Sequence, residues 1–176
     1  MVDLRTVHTA WLRPEELRAI RTLLDEAFDG EVTDDDYEHA LGGIHAMVWD
    51  GPELIGHGSV VMRRLLHRER ALRTGYVEAV AVRPDRQGRG YGTEVMQVLE
   101  DVIRGAYEIG ALGATDEAAP FYSRRGWQRW PGTASVLTPY GRRRTQEVEG
   151  CIYVMPVTGE LALDDLSCDW RGGDAW

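Results

Sequence analysis

The sequence predicts one mixed α/β domain over residues 1–176, with a central sheet of about six to seven strands flanked by about four helices. Three observations carry that expectation. Apolar spacing switches repeatedly between a period near two and a period near 3.6. An apolar run, Val77-Glu78-Ala79-Val80-Ala81-Val82, passes through a glycine-rich turn into an amphipathic segment with Val95, Val98, Leu99, Val102 and Ala106 on one face. Internal repeats and linker-like stretches are absent. A hydrophobic share of 43% and a charged share of 28% are those of a globular domain able to bury a core.

Taken in order, Val7–Ala10 reads as a first short strand. Pro14 suits the first turn of a helix that lines up Leu17, Ile20, Leu24 and Phe28. Thr33 is placed to cap a second, short helix, with Asp36 at its third position, and Gly42-Gly43 ends it. Residues 44–49 and 54–66 form a hairpin about Asp50-Gly51-Pro52-Glu53, and 73–82 returns as the next strand. After the amphipathic helix come a strand at 109–112, a helical turn or two at 117–125 stopped by Gly126, and a strand from Trp127. Residues 131–150 read as a hairpin with a long exposed loop carrying Arg142-Arg143-Arg144. Residues 151–155 form a last buried strand, and an acidic tail follows from Asp164 to Trp176.

The glycine-rich turn, Arg86-Gln87-Gly88-Arg89-Gly90-Tyr91-Gly92-Thr93, has the makings of a pyrophosphate cradle. The first N–H groups of a helix lack intrahelical partners and sit at the positive end of its dipole. Two familiar spacings fail. The chain has no lysine, which excludes the Walker pattern, and no third glycine completes GxGxxG. Gln87-x-x-Gly90-x-Gly92 remains, and it resembles the acyl-CoA signature of the GNAT acetyltransferases. Phe121-Tyr122-Ser123-Arg124-Arg125-Gly126-Trp127 resembles the second motif of that superfamily at the expected distance. Its fold has the element order just read.

Longer segments are similar to one branch, the aminoglycoside 2'-N-acetyltransferases: 39–46, 75–82, 104–112 and the ending Cys168-Asp169-Trp170-Arg171-Gly172-Gly173-Asp174-Ala175-Trp176. The resemblance implies acetyl transfer from acetyl-CoA to a 2'-amine, and a homodimer. An amine attacking a thioester must lose a proton. Glu78, a carboxylate within an apolar strand, is the candidate acceptor, directly or through water; a structural ion pair is the other reading. Tyr122 is the candidate donor to the departing thiolate, or a core tyrosine beside Phe121. The Val80 N–H would polarise the thioester carbonyl. Cosubstrate binding is expected along Val80, Ala81 and Val82 and at Gln87, Gly88, Arg89, Gly90, Tyr91 and Gly92.

A polycationic acceptor needs carboxylates, and Glu31, Asp36, Glu147, Glu149, Asp169, Asp174 and the Trp176 terminus are available. Helix capping explains Asp36 equally well. The resemblance places substrate contacts at Glu31, Asp36, Glu78, Ala79, Gly113, Glu147, Val148, Asp174 and Trp176. Gly113 and Val148 depart from the family by offering only backbone or packing. Another cationic amine as acceptor, or a non-catalytic acyl-CoA sensor, is the alternative.

The net charge of −9 argues against nucleic acid and anionic membrane as partners. No apolar stretch reaches the ~20 residues of a membrane span. Met1-Val2-Asp3-Leu4-Arg5 does not resemble a signal peptide, and Cys151 and Cys168 read as reduced thiols, so the expected location is cytoplasmic. His8, His39, His45, His57 and His67 show no ligand spacing, and no metal is expected.

Overall fold

In the computed structural model, which describes residues 1–159, 161–162 and 164–176, the chain divides into two units. One comprises Met1–Val61 with Val77–Val102, the other Met62–Tyr76 with Ile103–Trp176.

In the first unit, β1 (Val2–His8) is followed by α1 (Pro14–Ala27), α2 (Asp34–His39) and β2 (Ile44–Asp50). The first part of β3 (Glu53–His67), the last part of β4 (Arg70–Val82) and most of α3 (Tyr91–Ala106) complete it. β1 and β3 both pair antiparallel with β2. The first strand begins five residues earlier than expected, and Thr9–Trp11 is a 3-10 turn. Burial is incomplete along β1, so its sequence carries little apolar alternation to read.

Pro14 opens α1 as expected, and Thr33 and Asp36 form the capping box of α2. Ile20, Leu23 and Leu24 bury against Met47, Leu54 and Ala81. Phe28, expected on that face, is the cap residue after α1 and is 43% exposed. Helix α3 lies against β3 where two glycines leave room. A Cβ on Gly58 would stand 2.8 Å from Val95 and 2.9 Å from Leu99. The buried side of α3 comprises Val95, Met96, Leu99, Glu100 and Ile103, whereas Ala106, expected there, is exposed.

The second unit takes the remaining parts of β3 and β4. It adds β5 (Ile109–Gly113), α4 (Ala119–Arg124), β6 (Gln128–Arg129), β7 (Ala134–Thr138), β8 (Gly141–Arg144), β9 (Ile152–Pro156) and β10 (Leu166–Asp169). Its strand order is β6-β9-β5-β4-β3-β10-β7-β8. The β4–β5 and β10–β7 pairs are parallel, and β5–β9, β6–β9, β7–β8 and β10–β3 are antiparallel. Trp127 packs on Gly110, where a Cβ would come within 2.9 Å of the indole.

The acidic tail is the main correction. Residues 166–169 form β10, which pairs with both β3 and β7. Asp165, just before β10, is held by the hydroxyls of Ser135, Thr133 and Ser167, which donate to it at 2.7, 3.0 and 2.8 Å. Burial works against its charge, but those bonds outweigh it and hold the carboxyl below the usual range. Among the described residues there are ten strands, more than the six to seven expected, and four α-helices, as expected.

Candidate active site

After four consecutive buried residues, β4 turns half-buried at Glu78, Ala79 and Val80. Ala79 has φ +52°. Left-handed backbone at a residue with a Cβ costs about 1–2 kcal/mol, so the surroundings must enforce it. One enforcing contact is visible. The Ala79 carbonyl accepts a hydrogen bond from Nδ1 of His57 at 2.9 Å, and His57 is fully buried. Nε2 of His57 lies 2.9 Å from Nδ1 of His45, also fully buried, and Nε2 of His45 lies 2.7 Å from the Thr9 hydroxyl. Burial holds both rings far below the usual histidine range, His57 to about 4 and His45 to about 3, with a lesser push on His45 from His57 and His8. They are neutral at physiological pH. Sequence spacing pointed to none of this, because the relay ends on a carbonyl rather than on another titratable side chain.

Following β4, residues 84–86 make a 3-10 turn and the glycine-rich segment leads into α3. Arg83 pairs with Asp85 and Glu53, and Arg86 with Asp50 at 3.0 Å, bracing the turn against the β2–β3 connection. Gly88 and Gly90 have φ +72° and +93°. A Cβ on either would meet nothing within 4 Å. Glycine is needed there for its dihedral freedom, while the space above stays open at the mouth of a helix 16 residues long. The Gln87 N–H bonds the Pro84 carbonyl at 3.4 Å and its side-chain amide bonds the Val82 carbonyl at 3.2 Å. Gln87 thus holds the turn together. Arg89 is exposed and reaches back to the Asp85 carbonyl; Ala81 is buried, and Val82, Tyr91 and Gly92 are half-buried.

Glu31, on this unit, is exposed. Asp36 is committed to capping: its carboxylate accepts from the Thr33 N–H and hydroxyl at 2.9 and 2.7 Å. Val32, Tyr37 and Ala79 all pack against the same apolar cluster, which brings the loop before α2 and the irregular part of β4 onto one core.

In the second unit Tyr122 is 8% exposed, with Phe121 and Trp127 edge-on and Tyr153 tilted beside it. Burial pushes its phenol up to about 12, so it carries its proton throughout the physiological range. Gly113, at the end of β5, stands beside the C-terminus: a Cβ there would lie 4.0 Å from the Trp176 carboxyl carbon and 3.8 Å from the Tyr76 hydroxyl. Val148 belongs to the same neighbourhood, since its carbonyl accepts from Cys151, whose own carbonyl accepts from Ala114. Glu147 and Asp174 are exposed.

Two further candidates are used within the fold. Glu149 takes two bonds from Arg144, and Asp169 pairs with Arg63. Arg63, missed in the sequence, is 4% exposed and anchors the tail. It donates to the Asp169 side chain and carbonyl and to the Ala175 carbonyl at 2.8, 3.0 and 2.8 Å. Arg142 pairs with Asp165, so two members of the arginine run serve β8 and its neighbours. Both cysteines are free; Cys168 is buried and its thiol is pushed up to about 11 by burial, which disfavours it as an acyl carrier. Among the described residues no three metal-ligating side chains gather, and no helix is long and apolar enough to cross a membrane.

Residues 8–127 match the family model described as Acetyltransferase (GNAT) family. Aminoglycoside 2'-N-acetyltransferase of Mycolicibacterium fortuitum is 49% identical over 98% of this chain and 91% of its own length. A GNAT family acetyltransferase from Brucella melitensis, solved with acetyl-CoA, aligns with a TM-score of 0.66 at 15% identity, over 98% of this chain and 97% of that one. The GNAT family N-acetyltransferase YhbS of Escherichia coli, solved with CoA, aligns at 0.68 with 14% identity, over 95% and 89%. At those identities the structural likeness is one of fold.

Proposed function

The chain belongs to the GNAT acetyltransferase family, and on that premise we propose that it moves the acetyl group of acetyl-CoA onto the 2'-amine of aminoglycosides. The observation that carries this reading is the extent of the 49% identity, which runs over 98% of the chain and so takes in both the cradle and the C-terminal tail. The whole chain, residues 1–176, then acts as one acetyltransferase domain, with its tail lending acceptors to the substrate.

The residues divide the work as follows. Gly88 to Gly92 and the first turn of α3 receive the pyrophosphate, supported by the open space over Gly88 and Gly90. The strand from Val80 to Val82 offers main-chain groups to the pantetheine arm. Glu78 takes the proton lost by the amine, directly or through one water, as the N–C bond forms. The Val80 N–H stabilises charge on the thioester oxygen, and Tyr122, protonated, donates to sulfur as the C–S bond breaks. Glu31, Glu147, Asp174 and the Trp176 carboxylate receive ammonium groups of the substrate. Ala79, Gly113 and Val148 contribute backbone or shape. Asp36 acts there only if its capping bonds give way.

No metal takes part in this scheme. A net charge of −9 favours a cationic small molecule as partner over nucleic acid or an anionic membrane. We further assign the protein to the cytoplasm as a homodimer, which sedimentation at micromolar concentration tests.

The decisive experiment is thiol release from acetyl-CoA with gentamicin, tobramycin, kanamycin A and spermidine as acceptors. Kanamycin A has a hydroxyl at the 2' position. Turnover with gentamicin and tobramycin but not kanamycin A is the expected result. Activity confined to spermidine would keep the acetyltransferase and discard the aminoglycoside; silence on all four would discard this reading.

A further inference from the structure

We propose that Thr9, His45 and His57 form a hydrogen-bond relay that positions the Ala79–Val80 peptide, and through it the Val80 N–H that polarises the thioester carbonyl. The inference rests on the function just proposed for Val80. It starts from the direction of each bond. The Ala79 carbonyl can only accept, so Nδ1 of His57 carries the proton. A neutral His57 then offers Nε2 as an acceptor, and Nδ1 of His45 must donate to it. Nε2 of His45 is left to accept from the Thr9 hydroxyl at 2.7 Å. Thr9 in turn accepts from the N–H groups of Gly42 and Gly43 at 2.8 and 3.2 Å. The Gly43 carbonyl, 3.2 Å from the Thr9 hydroxyl, is a second and longer acceptor for its proton, which the 2.7 Å contact directs to His45, and the polarity runs from the loop after α2 to the irregular point of β4.

The relay ends on a peptide, and a trans peptide is planar with its C=O and N–H pointing opposite ways. Fixing the Ala79 oxygen toward His57 therefore aims the Val80 N–H away from it. Accepting a bond at the oxygen also strengthens the same peptide as a donor. A carbonyl does not pass a proton on, so the relay orients and does not conduct. This gives a physical reason for two adjoining buried histidines and for a left-handed alanine next to Glu78. The histidines are positioning residues: they act on the reaction through Ala79 and Val80.

Two measurements test it. The first is 15N NMR of histidine-labelled protein at pH 7, with His45→Gln and His57→Asn used for assignment. Both rings are expected in the Nδ1–H tautomer, the minor form for free histidine in water. Nε2–H or doubly protonated rings would overturn the relay. The second compares His57→Leu, which removes the donor, with His57→Asn, whose amide nitrogen replaces Nδ1. With gentamicin, His57→Leu should lose about 30-fold or more in kcat, with KM within about threefold, on the scale of a misaimed oxyanion donor. His57→Asn should stay within about fivefold of wild type. Wild-type kcat in His57→Leu would overturn the proposal. So would equal losses in the two variants at matched melting temperature. The NMR result does not depend on the acceptor. Nδ1–H rings in a protein inactive on every amine would remove the function and retain the relay's geometry, and Nε2–H rings in an active enzyme would do the reverse.

Discussion

Tyr122 and Glu78 stand in different surroundings, and the roles proposed for them can be tested separately. The phenol is enclosed by Phe121, Trp127 and Tyr153, which keep it protonated well above neutral pH and hence able to donate. Tyr122→Phe keeps the ring packing and removes only the proton. It should lower kcat about 10- to 100-fold while the acetyl-CoA dissociation constant moves less than about twofold. Stopped-flow turnover with calorimetric binding checks both, and wild-type turnover would return Tyr122 to a packing role. Glu78 is half-buried beside the strained Ala79. Glu78→Gln retains shape and hydrogen bonding but cannot take a proton. Its kcat/KM should fall most at the acid end of the profile, where more of the amine still carries its proton. A loss of the same size at every pH would remove Glu78 from the base role. Both residues could be singled out as candidates in the sequence, Glu78 as an acid in an apolar strand and Tyr122 by its place in a spaced motif. Thr9, His45, His57 and Arg63 could not, because their partners are carbonyls or residues far along the chain.

Among the elements, the turn into α3 is where backbone conformation and ligand space can be separated. At Gly90 a methyl group has room but the dihedral does not suit it. Gly90→Ala should therefore cost about 1–2 kcal/mol from backbone strain alone, and acetyl-CoA affinity should fall at least about tenfold as the cradle relaxes or fills. Gly58→Ala is the contrasting case, with no room beside Val95 and Leu99. Overpacking there should cost about 1–3 kcal/mol, with acetyl-CoA affinity lost only in proportion to unfolding. Chemical denaturation with parallel binding measurements distinguishes them; equal affinity losses at equal stability would deny the cradle its special role. The strand–turn–helix was readable because glycine spacing and apolar period agree over residues 77–99. β10 was not, because a four-residue strand among aspartates has no periodicity to detect, and the hydroxyls that satisfy Asp165 at its start come from Thr133, Ser135 and Ser167.

For the whole molecule, the buried histidines make folding itself sensitive to mild acid. Their neutral forms are favoured in the fold, to about 4 for His57 and about 3 for His45, against an ordinary value of 6.5. Above pH 6.5 folded and unfolded chains both hold the rings neutral, and these groups give no pH dependence. Below it the unfolded chain takes up protons that the folded rings refuse, so stability drops as pH falls from 6.5 toward 4. Each proton contributes about 1.4 kcal/mol per pH unit. The buried Glu16 is different: bonds from Arg13 outweigh its burial, Arg5 adds to them, and its carboxyl sits at about 2. Its stabilising effect is present above about 4.5 and is lost only as pH falls below that. Between pH 6.5 and 5 the histidines thus act without it. The melting temperature should fall by roughly 5–10 °C over that interval, taking about 2–4 °C per kcal/mol for a chain of this size. His57→Asn should cut the fall by about half, since one of the two rings no longer titrates. Scanning calorimetry at pH 7, 6 and 5 measures this directly. An unchanged melting temperature in the wild-type protein would mean that the rings are hydrated, and an unchanged slope in His57→Asn would assign the acid sensitivity to other groups.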